Sequence, residues 1–182
     1  MRSQAASNFS LAMVELAKER NLLEAVRDAS EAILPGLRLP ELADFIKHPK
    51  VSDVQKKELL KKLAPSDAPR EFFNFLELII DRKREEFLVP ILEGIVDLTL
   101  QAWGFEIVEI ISAIPLSDIE RNHISEGLEK AWDKKLYIRY REKPALIGGI
   151  IIRRGDRIID GSLAGQIHSL RQVLLEETEL PI

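Results

Sequence analysis

The pattern of apolar and polar residues changes once along the chain. From residue 5 to residue 104, apolar residues recur every three or four positions, which is the spacing of one face of a helix. From Phe105 onward the sequence becomes rich in β-branched residues, which favour strands. The pattern predicts a two-domain protein: an all-α bundle of about six helices over residues 1–104, followed by a small α+β domain over residues 105–182.

Polar and proline residues mark the predicted helix ends. The stretches Ser52–Gln55 and Ser117–Glu120 each place Ser three residues before Gln or Glu, which is the signature of a capping box at a helix start. Pro35 is followed by Gly36, and this pair predicts that the second helix ends there.

The first and fifth predicted helices are apolar on more than one side. The first has an expected core stripe of five residues, Ala5, Phe9, Ala12, Met13 and Leu16. Leu11 and Val14 lie on a second face, which indicates either a broad core contact or a surface for a partner. In the fifth helix, Phe73 and Ile80 lie beside the expected core stripe, and Leu78 points elsewhere. Such a helix is either central in its bundle or shared with another chain.

Residues 145–161 predict two short strands joined by a tight turn at Gly155. Gly148 and Gly149 indicate a bulge or a close approach of two backbone segments. A phosphate-binding loop is disfavoured, because no Lys-Ser or Lys-Thr pair follows these glycines. The last helix is predicted to carry four apolar residues on one face, Leu163, Ile167, Leu170 and Leu174.

Charge and composition narrow the range of functions. The net charge of −4 disfavours general nucleic-acid binding, because phosphate backbones attract positive surfaces. A lysine cluster in the fourth helix is therefore interpreted as a solvated face: Lys56, Lys57, Lys61 and Lys62. The run from Asp81 to Glu86 is interpreted as a solvated helix junction. Because the chain has no cysteine, disulfides, thiolate metal sites and a cysteine nucleophile are excluded.

No catalytic constellation stands out in the sequence. His48, His123 and His168 are scattered and belong to no metal-binding motif. No serine lies in a nucleophile elbow. We therefore expect no catalytic, cofactor-binding or metal-binding residues. No apolar run approaches the roughly 20 residues that cross a bilayer, and the N-terminus leads directly into a helical pattern, so an intracellular, soluble protein is expected.

Several segments resemble the δ subunit of bacterial F-type ATP synthase, the counterpart of the mitochondrial oligomycin-sensitivity-conferring protein. The longest runs from Leu146 to Asp156 (LIGGIIIRRGD) and continues at Ile158–Ser162 (IIDGS). Phe9–Ala17 resembles the opening helix of the family, with phenylalanine where the family has tyrosine. A third similar segment combines Asn74–Leu76 with the basic run Arg82–Arg84.

The resemblance implies a non-catalytic stator subunit that resists rotational torque during proton-driven ATP synthesis. It implies that the helical domain binds the N-terminal helix of an α subunit through its first and fifth helices, and that the C-terminal domain binds the b subunits of the peripheral stalk. It also implies a single copy, peripheral on the cytoplasmic face of the bacterial inner membrane, with no cofactor and no nucleic acid. We expect five residues in the α-subunit groove: Leu11, Val14, Phe73, Glu77 and Ile80. For the stalk, the last helix and the nearby strands are favoured.

Three other interpretations remain open at this stage. The chain could be an unrelated cytosolic adaptor whose bundle binds some other amphipathic helix. It could be a small nucleotide-dependent enzyme, or it could bind RNA through the lysine-rich fourth helix. Co-purification with membrane-bound ATPase, thermal shift with nucleotides, and salt-dependent RNA binding would distinguish them.

Overall fold

A computed structural model describes residues 4–177 and, for residues 173–177, the backbone alone. The chain divides into two units between Ala102 and Trp103. The first contains α1 (Gln4–Glu19), α2 (Leu23–Arg38), α3 (Pro40–Lys47), α4 (Asp53–Leu63), α5 (Arg70–Asp81) and α6 (Leu88–Ala102), with a 3₁₀ turn at Glu85–Phe87. The second contains β1 (Glu106–Ser112), α7 (Asp118–Trp132), β2 (Leu136–Glu142), β3 (Ile150–Arg154), β4 (Arg157–Asp160) and α8 (Leu163–Glu177), with a 3₁₀ turn at Pro144–Leu146. The predicted fold class, a helix bundle followed by a small α+β domain, is confirmed.

The helix α6 forms the centre of the first unit. Its buried residues include Leu88, Ile91, Leu92, Ile95 and Val96, so apolar side chains surround it on most sides. A helix that is apolar nearly all round is buried in its bundle. One large cluster of buried apolar residues, drawn from all six helices, then forms a single core.

The predicted core stripe of α1 is confirmed only in part: Met13 is in the core and Phe9 and Leu16 pack against it, but the buried face is centred elsewhere. The buried residues of α1 are Ala6, Ser10, Met13, Val14 and Ala17. Of the predicted stripe only Met13 is buried, whereas Phe9 and Leu16 are half-buried and Ala12 is exposed. The reason is close packing: the Ser10 hydroxyl lies 2.8 Å from the Ile91 carbonyl oxygen. Small residues let α1 approach α6, and the larger ones then lie on the flank.

The predicted end of the second helix at Pro35 is also wrong, because α2 continues through the proline to Arg38. Interior proline costs a helix about 3 kcal/mol. Burial offsets this cost, since Leu34 and Leu37 on either side of the proline are both in the core, while Pro35 itself is exposed.

Both predicted capping boxes are confirmed. At the start of α4 the Ser52 hydroxyl accepts a bond from the Gln55 backbone, and the Gln55 side chain accepts one from the Ser52 backbone. At the start of α7, Ser117 and Glu120 make the same reciprocal pair. Each box satisfies two backbone N–H groups that a helix start leaves without partners.

A four-stranded sheet in the order β2-β1-β3-β4 forms the second unit. The pair β1–β2 is parallel and is joined by α7, while β1–β3 and β3–β4 are antiparallel. Three residues of α7, Ile124, Leu128 and Trp132, pack against the buried Val108, Ile110 and Leu136. At one end of the sheet, Arg154 forms a two-bond ion pair with Glu106 at 2.5 and 2.8 Å.

Candidate partner-binding surfaces

A groove of about 560 Å³ lies on the surface of the first unit between α1 and α5. Its lining residues are Leu16, Arg20, Arg70, Glu71, Asn74, Phe75 and Leu78. The two helices touch at its ends: the rings of Phe9 and Phe75 lie 6.4 Å apart edge to face, and Arg20 pairs with Glu71 at 2.9 Å. Among the apolar lining residues Leu78 is 41 % exposed, Leu16 is half-buried and Phe75 is buried. The groove combines an apolar floor with a charged rim, which suits an amphipathic helix.

The structure does not bring together the five residues that were predicted for the groove. Val14 and Ile80 are buried in the core of the bundle, so they are not part of any surface. Leu11 is 48 % exposed, but two residues from Phe9 it points about 200° away around α1, to the opposite flank. Phe73 and Glu77 lie on the other side of α5 and line a second groove of about 370 Å³ with Lys61, Arg70 and Asn74.

The sequence interpretation missed Leu16 and Leu78 as groove residues. Leu16 was assigned to the core stripe of α1, and the helical period alone cannot separate a core stripe from a flanking stripe about 80° away. Leu78 did carry a signal, because it points away from both other apolar stripes of α5.

Three lysines of the α4 cluster pair with acidic residues of α5 and the following turn: Lys61–Glu77, Lys57–Asp81 and Lys56–Glu85, each at 2.7 Å. In the reverse direction, Lys83 of that turn pairs with Asp53 at the start of α4. The bond from Lys83 lowers the pKa of the Asp53 carboxyl, and the bond to Asp81 raises the pKa of Lys57. The side chains of Lys56 and Glu85 are almost fully buried, which corrects the prediction of a wholly solvated lysine face and helix junction.

Close backbone packing explains the glycines in the second unit. Gly149 has φ +73°, and a Cβ there would overlap the carbonyl oxygen of Gly161. Gly148 packs against Leu163, to whose Cδ1 a Cβ would come within 2.8 Å. The two glycines therefore seat the start of α8 against the segment before β3, as the predicted close approach requires.

The predicted apolar face of α8 is uncovered within the described residues. Leu163, Ile167 and Leu170 are exposed, and so are Ile158 and Ile159 on the edge strand β4. The side chain of Leu174 lies outside the described residues. All residues from 166 to 172 are exposed, so this part of α8 has no buried face. An isolated helix of this length is marginal in water, and among the described residues little of α8 is buried.

Within residues 4–177 no group of three or more histidine, aspartate or glutamate residues could hold a metal ion. No helix in the same range is both long and apolar enough to span a membrane.

Comparisons with known proteins identify the family. A sequence model described as "ATP synthase delta (OSCP) subunit" matches residues 5–174. The chain belongs to the ATP synthase delta (OSCP) subunit family. The resemblance noted in the sequence is thereby confirmed.

Relatives in this delta (OSCP) family match along nearly their whole length. The ATP synthase subunit delta of Halalkalibacterium halodurans is 36 % identical over 172 residues, which cover 93 % of this chain and 94 % of that protein. The subunit delta of Brevibacillus brevis is 34 % identical and covers 94 % of this chain and 99 % of the relative. The fold is similar to a chain in the cryo-EM structure of the Toxoplasma gondii mitochondrial ATP synthase hexamer, with a TM-score of 0.73 at 20 % identity over 99 % of this chain and 100 % of that one.

Proposed function

We propose that this chain is a non-catalytic stator subunit of an F-type ATP synthase. Its helical unit binds the N-terminal helix of an α subunit on the catalytic head, and its C-terminal unit binds the b subunits of the peripheral stalk. The chain resists the torque of rotation, as a single copy held peripherally on the cytoplasmic face of a bacterial inner membrane. Full-length similarity to bacterial delta subunits carries this proposal.

The groove between α1 and α5 supports the head contact. It lies between the two helices that the resemblance assigns to α-subunit binding, and its lining includes the half-buried Leu16 and the exposed Leu78, which an apolar face of a helix can cover. The paired charges of Arg20 and Glu71 at the rim add polar contacts that fix the direction of the bound helix.

A matched pair of leucines tests this groove. Leu78 is 41 % exposed inside it, and Leu11 is 48 % exposed on the opposite flank of α1. We expect Leu78→Asp to weaken binding of an α-subunit N-terminal peptide by about tenfold or more, because it places a charge on the apolar floor. Leu11→Asp is expected to leave the affinity within about twofold. Isothermal titration calorimetry measures both.

The opposite result would favour the binding residues that were predicted from the sequence. If Leu11→Asp or Phe73→Asp abolishes binding and Leu78→Asp does not, the groove between α1 and α5 is not the binding site. Circular dichroism of each variant confirms that helical content is kept. If the wild-type chain fails to co-purify with the membrane-bound ATPase, the stator function itself is overturned.

A further inference from the structure

A crest on α5 separates the two grooves of the first unit. Both grooves are lined by Arg70 and Asn74, and the groove beside α1 continues to Leu78. These three residues follow one another at intervals of four positions, so they form one ridge along α5, and all three are exposed. The crest Arg70–Asn74–Leu78 therefore presents a cation, an amide and an apolar side chain in line to a partner that binds in the groove.

Arg70 is the charged residue of these grooves that stays unpaired. The other charged residues in the two linings form ion pairs with each other, Arg20 with Glu71 at 2.9 Å and Lys61 with Glu77 at 2.7 Å. Among the side chains that the structure describes, none forms a hydrogen bond or an ion pair with the guanidinium of Arg70. Each groove lining therefore has an excess of one positive charge.

The position of Arg70 in α5 is unfavourable for a cation. The helix begins at Arg70, and the N-terminal end of a helix carries a partial positive charge. The acidic residue beside it in the first turn, Glu71, already pairs with Arg20. A carboxylate supplied by a partner would therefore offset a repulsion that the ion pairs of the chain leave in place.

The crest has the hydrogen-bond donors to hold one carboxylate. A guanidinium binds a carboxylate through two parallel N–H···O bonds. The side-chain amide of Asn74, one turn further along the same side of α5, carries two more N–H donors, and it too has no hydrogen bond to a described residue. An excess of one positive charge matches one carboxylate, whereas a polyanion such as RNA is bound by several cations.

We propose that Arg70 and Asn74 bind an aspartate or glutamate side chain of the α-subunit helix, and that this contact sets the register of that helix in the groove between α1 and α5. The inference rests on the proposed function and adds the chemistry of the partner. Arg70 and Leu78 are eight positions apart, which is about 12 Å along α5. A helix lying along the crest therefore carries its acidic residue about two turns from the apolar residue that covers Leu78.

Two variants with the same change of charge test the carboxylate contact. Arg70→Gln removes the cation of the crest, and Lys62→Gln removes an exposed cation of α4 that lines neither groove. The probe is the N-terminal peptide of the α subunit from the same ATP synthase, titrated into the full chain by calorimetry. We expect Arg70→Gln to weaken binding about threefold to tenfold at low salt and to flatten its salt dependence, and Lys62→Gln to stay within about twofold of wild type. Equal losses would reduce the effect to net charge and overturn the proposal.

A neutral variant tests the amide of the crest. Asn74→Ala removes the amide donors without a change of charge, so we expect it to weaken binding about twofold to fivefold while the salt dependence stays that of wild type. Unchanged affinity would remove Asn74 from the contact. Because both crest residues are exposed, each variant is expected to keep the circular dichroism spectrum of the wild-type chain.

A double-mutant cycle identifies the acidic residue and its register. Each aspartate or glutamate of the peptide is replaced in turn by asparagine or glutamine. We expect one replacement to weaken binding to the wild-type chain as much as Arg70→Gln does, and to have no further effect on that variant. The peptide residue that couples to Leu78→Ala should then lie seven or eight positions away. A peptide with no acidic residue coupled to Arg70, or a spacing of a single turn, would contradict the proposal.

The variant Leu78→Asp, measured in the same titrations, separates this inference from the proposed function. If Leu78→Asp weakens binding and Arg70→Gln does not, the carboxylate contact is overturned and the groove between α1 and α5 remains the proposed site. If neither variant changes the affinity although the wild-type chain binds the peptide, the groove is overturned together with the carboxylate contact.

Discussion

The two units of this chain bury their apolar residues to very different extents. In the helical unit one core cluster draws on all six helices, and the exposed large apolar residues are scattered: Leu11, Leu39, Phe45, Val54 and Leu78. In the second unit, among the described residues, two clusters have only three buried members each. Many of its other isoleucines and leucines are exposed on β4, α7 and α8.

This difference indicates two kinds of binding surface. The core of the helical unit is complete within that unit, so we expect the proposed site between α1 and α5 to be preformed. The second unit leaves α8 exposed, together with Ile147, a β-branched residue strained at φ +66°, so we expect the proposed stalk partner to bury them as it binds. Regions with few buried contacts open at low free energy, and binding raises that free energy by mass action.

Truncation of an apolar side chain to alanine gives the largest expected difference between the units in lost free energy of unfolding. Phe72 is fully buried in the first unit, and we expect Phe72→Ala to lower the free energy of unfolding by about 3–5 kcal/mol. Ile119 in the second unit is mostly exposed, and Ile119→Ala is expected to change it by less than about 0.5 kcal/mol. Urea titration followed by circular dichroism measures both. Equal losses would show that Ile119 is covered within the chain and would remove the contrast.

The next largest expected effect is the destabilisation of the second unit when either of two glycines is replaced by alanine. We expect Gly149→Ala to destabilise this unit by about 2 kcal/mol or more, because its Cβ overlaps the Gly161 carbonyl at positive φ. Gly155 also has positive φ but open space around it, so Gly155→Ala is expected to cost only about 1 kcal/mol.

Tryptophan fluorescence reports the glycine effects selectively, because both tryptophans, Trp103 and Trp132, belong to the second unit. Equal losses for the two glycine variants would mean that backbone conformation, and not the close approach at Gly149, sets the requirement for glycine there.

Local signals in the sequence predicted the elements well, and non-local packing accounts for the failures. Both capping boxes and the hairpin turn at Gly155 are encoded within a few residues, so they could be predicted. The continuation of α2 past Pro35 depends on burial of Leu37, which no local pattern shows.

The candidate sites were harder to predict than the elements. Which side of α1 faces α6 depends on how closely the two helices approach each other. Because the sequence does not show this, Leu16 was assigned to the core stripe although it lines the groove. An apolar groove of the second unit, beside α7, joins segments that are far apart in sequence, from Ile114 to Gly149, so periodicity could not reveal it.

The smallest expected effect is the pH dependence of the second unit. The ion pair with Arg154 lowers the pKa of Glu106 below its ordinary value of 4.5. Because the folded carboxyl binds its proton less readily than the unfolded one, this stabilisation is present above pH 4.5 and is lost as pH falls through the lower folded pKa. Glu106→Gln should therefore be less stable than wild type at pH 7, the difference should shrink as the pH falls below 4.5, and the free energy of unfolding of the variant should change less over that range.

Arg154 lies 4.4 Å from the Trp132 ring, so tryptophan fluorescence during urea unfolding reports on this pair directly. Phe72→Ala is the control, since it removes no charge and should keep the wild-type pH dependence. Both side chains of the pair are about a quarter exposed, so solvent screens them and the effect should shrink further at high salt. A Glu106→Gln profile parallel to that of wild type would show that the pair does not stabilise the thin core of the second unit. Further stabilisation of that unit would then come only from burial of its exposed apolar residues by the proposed partner.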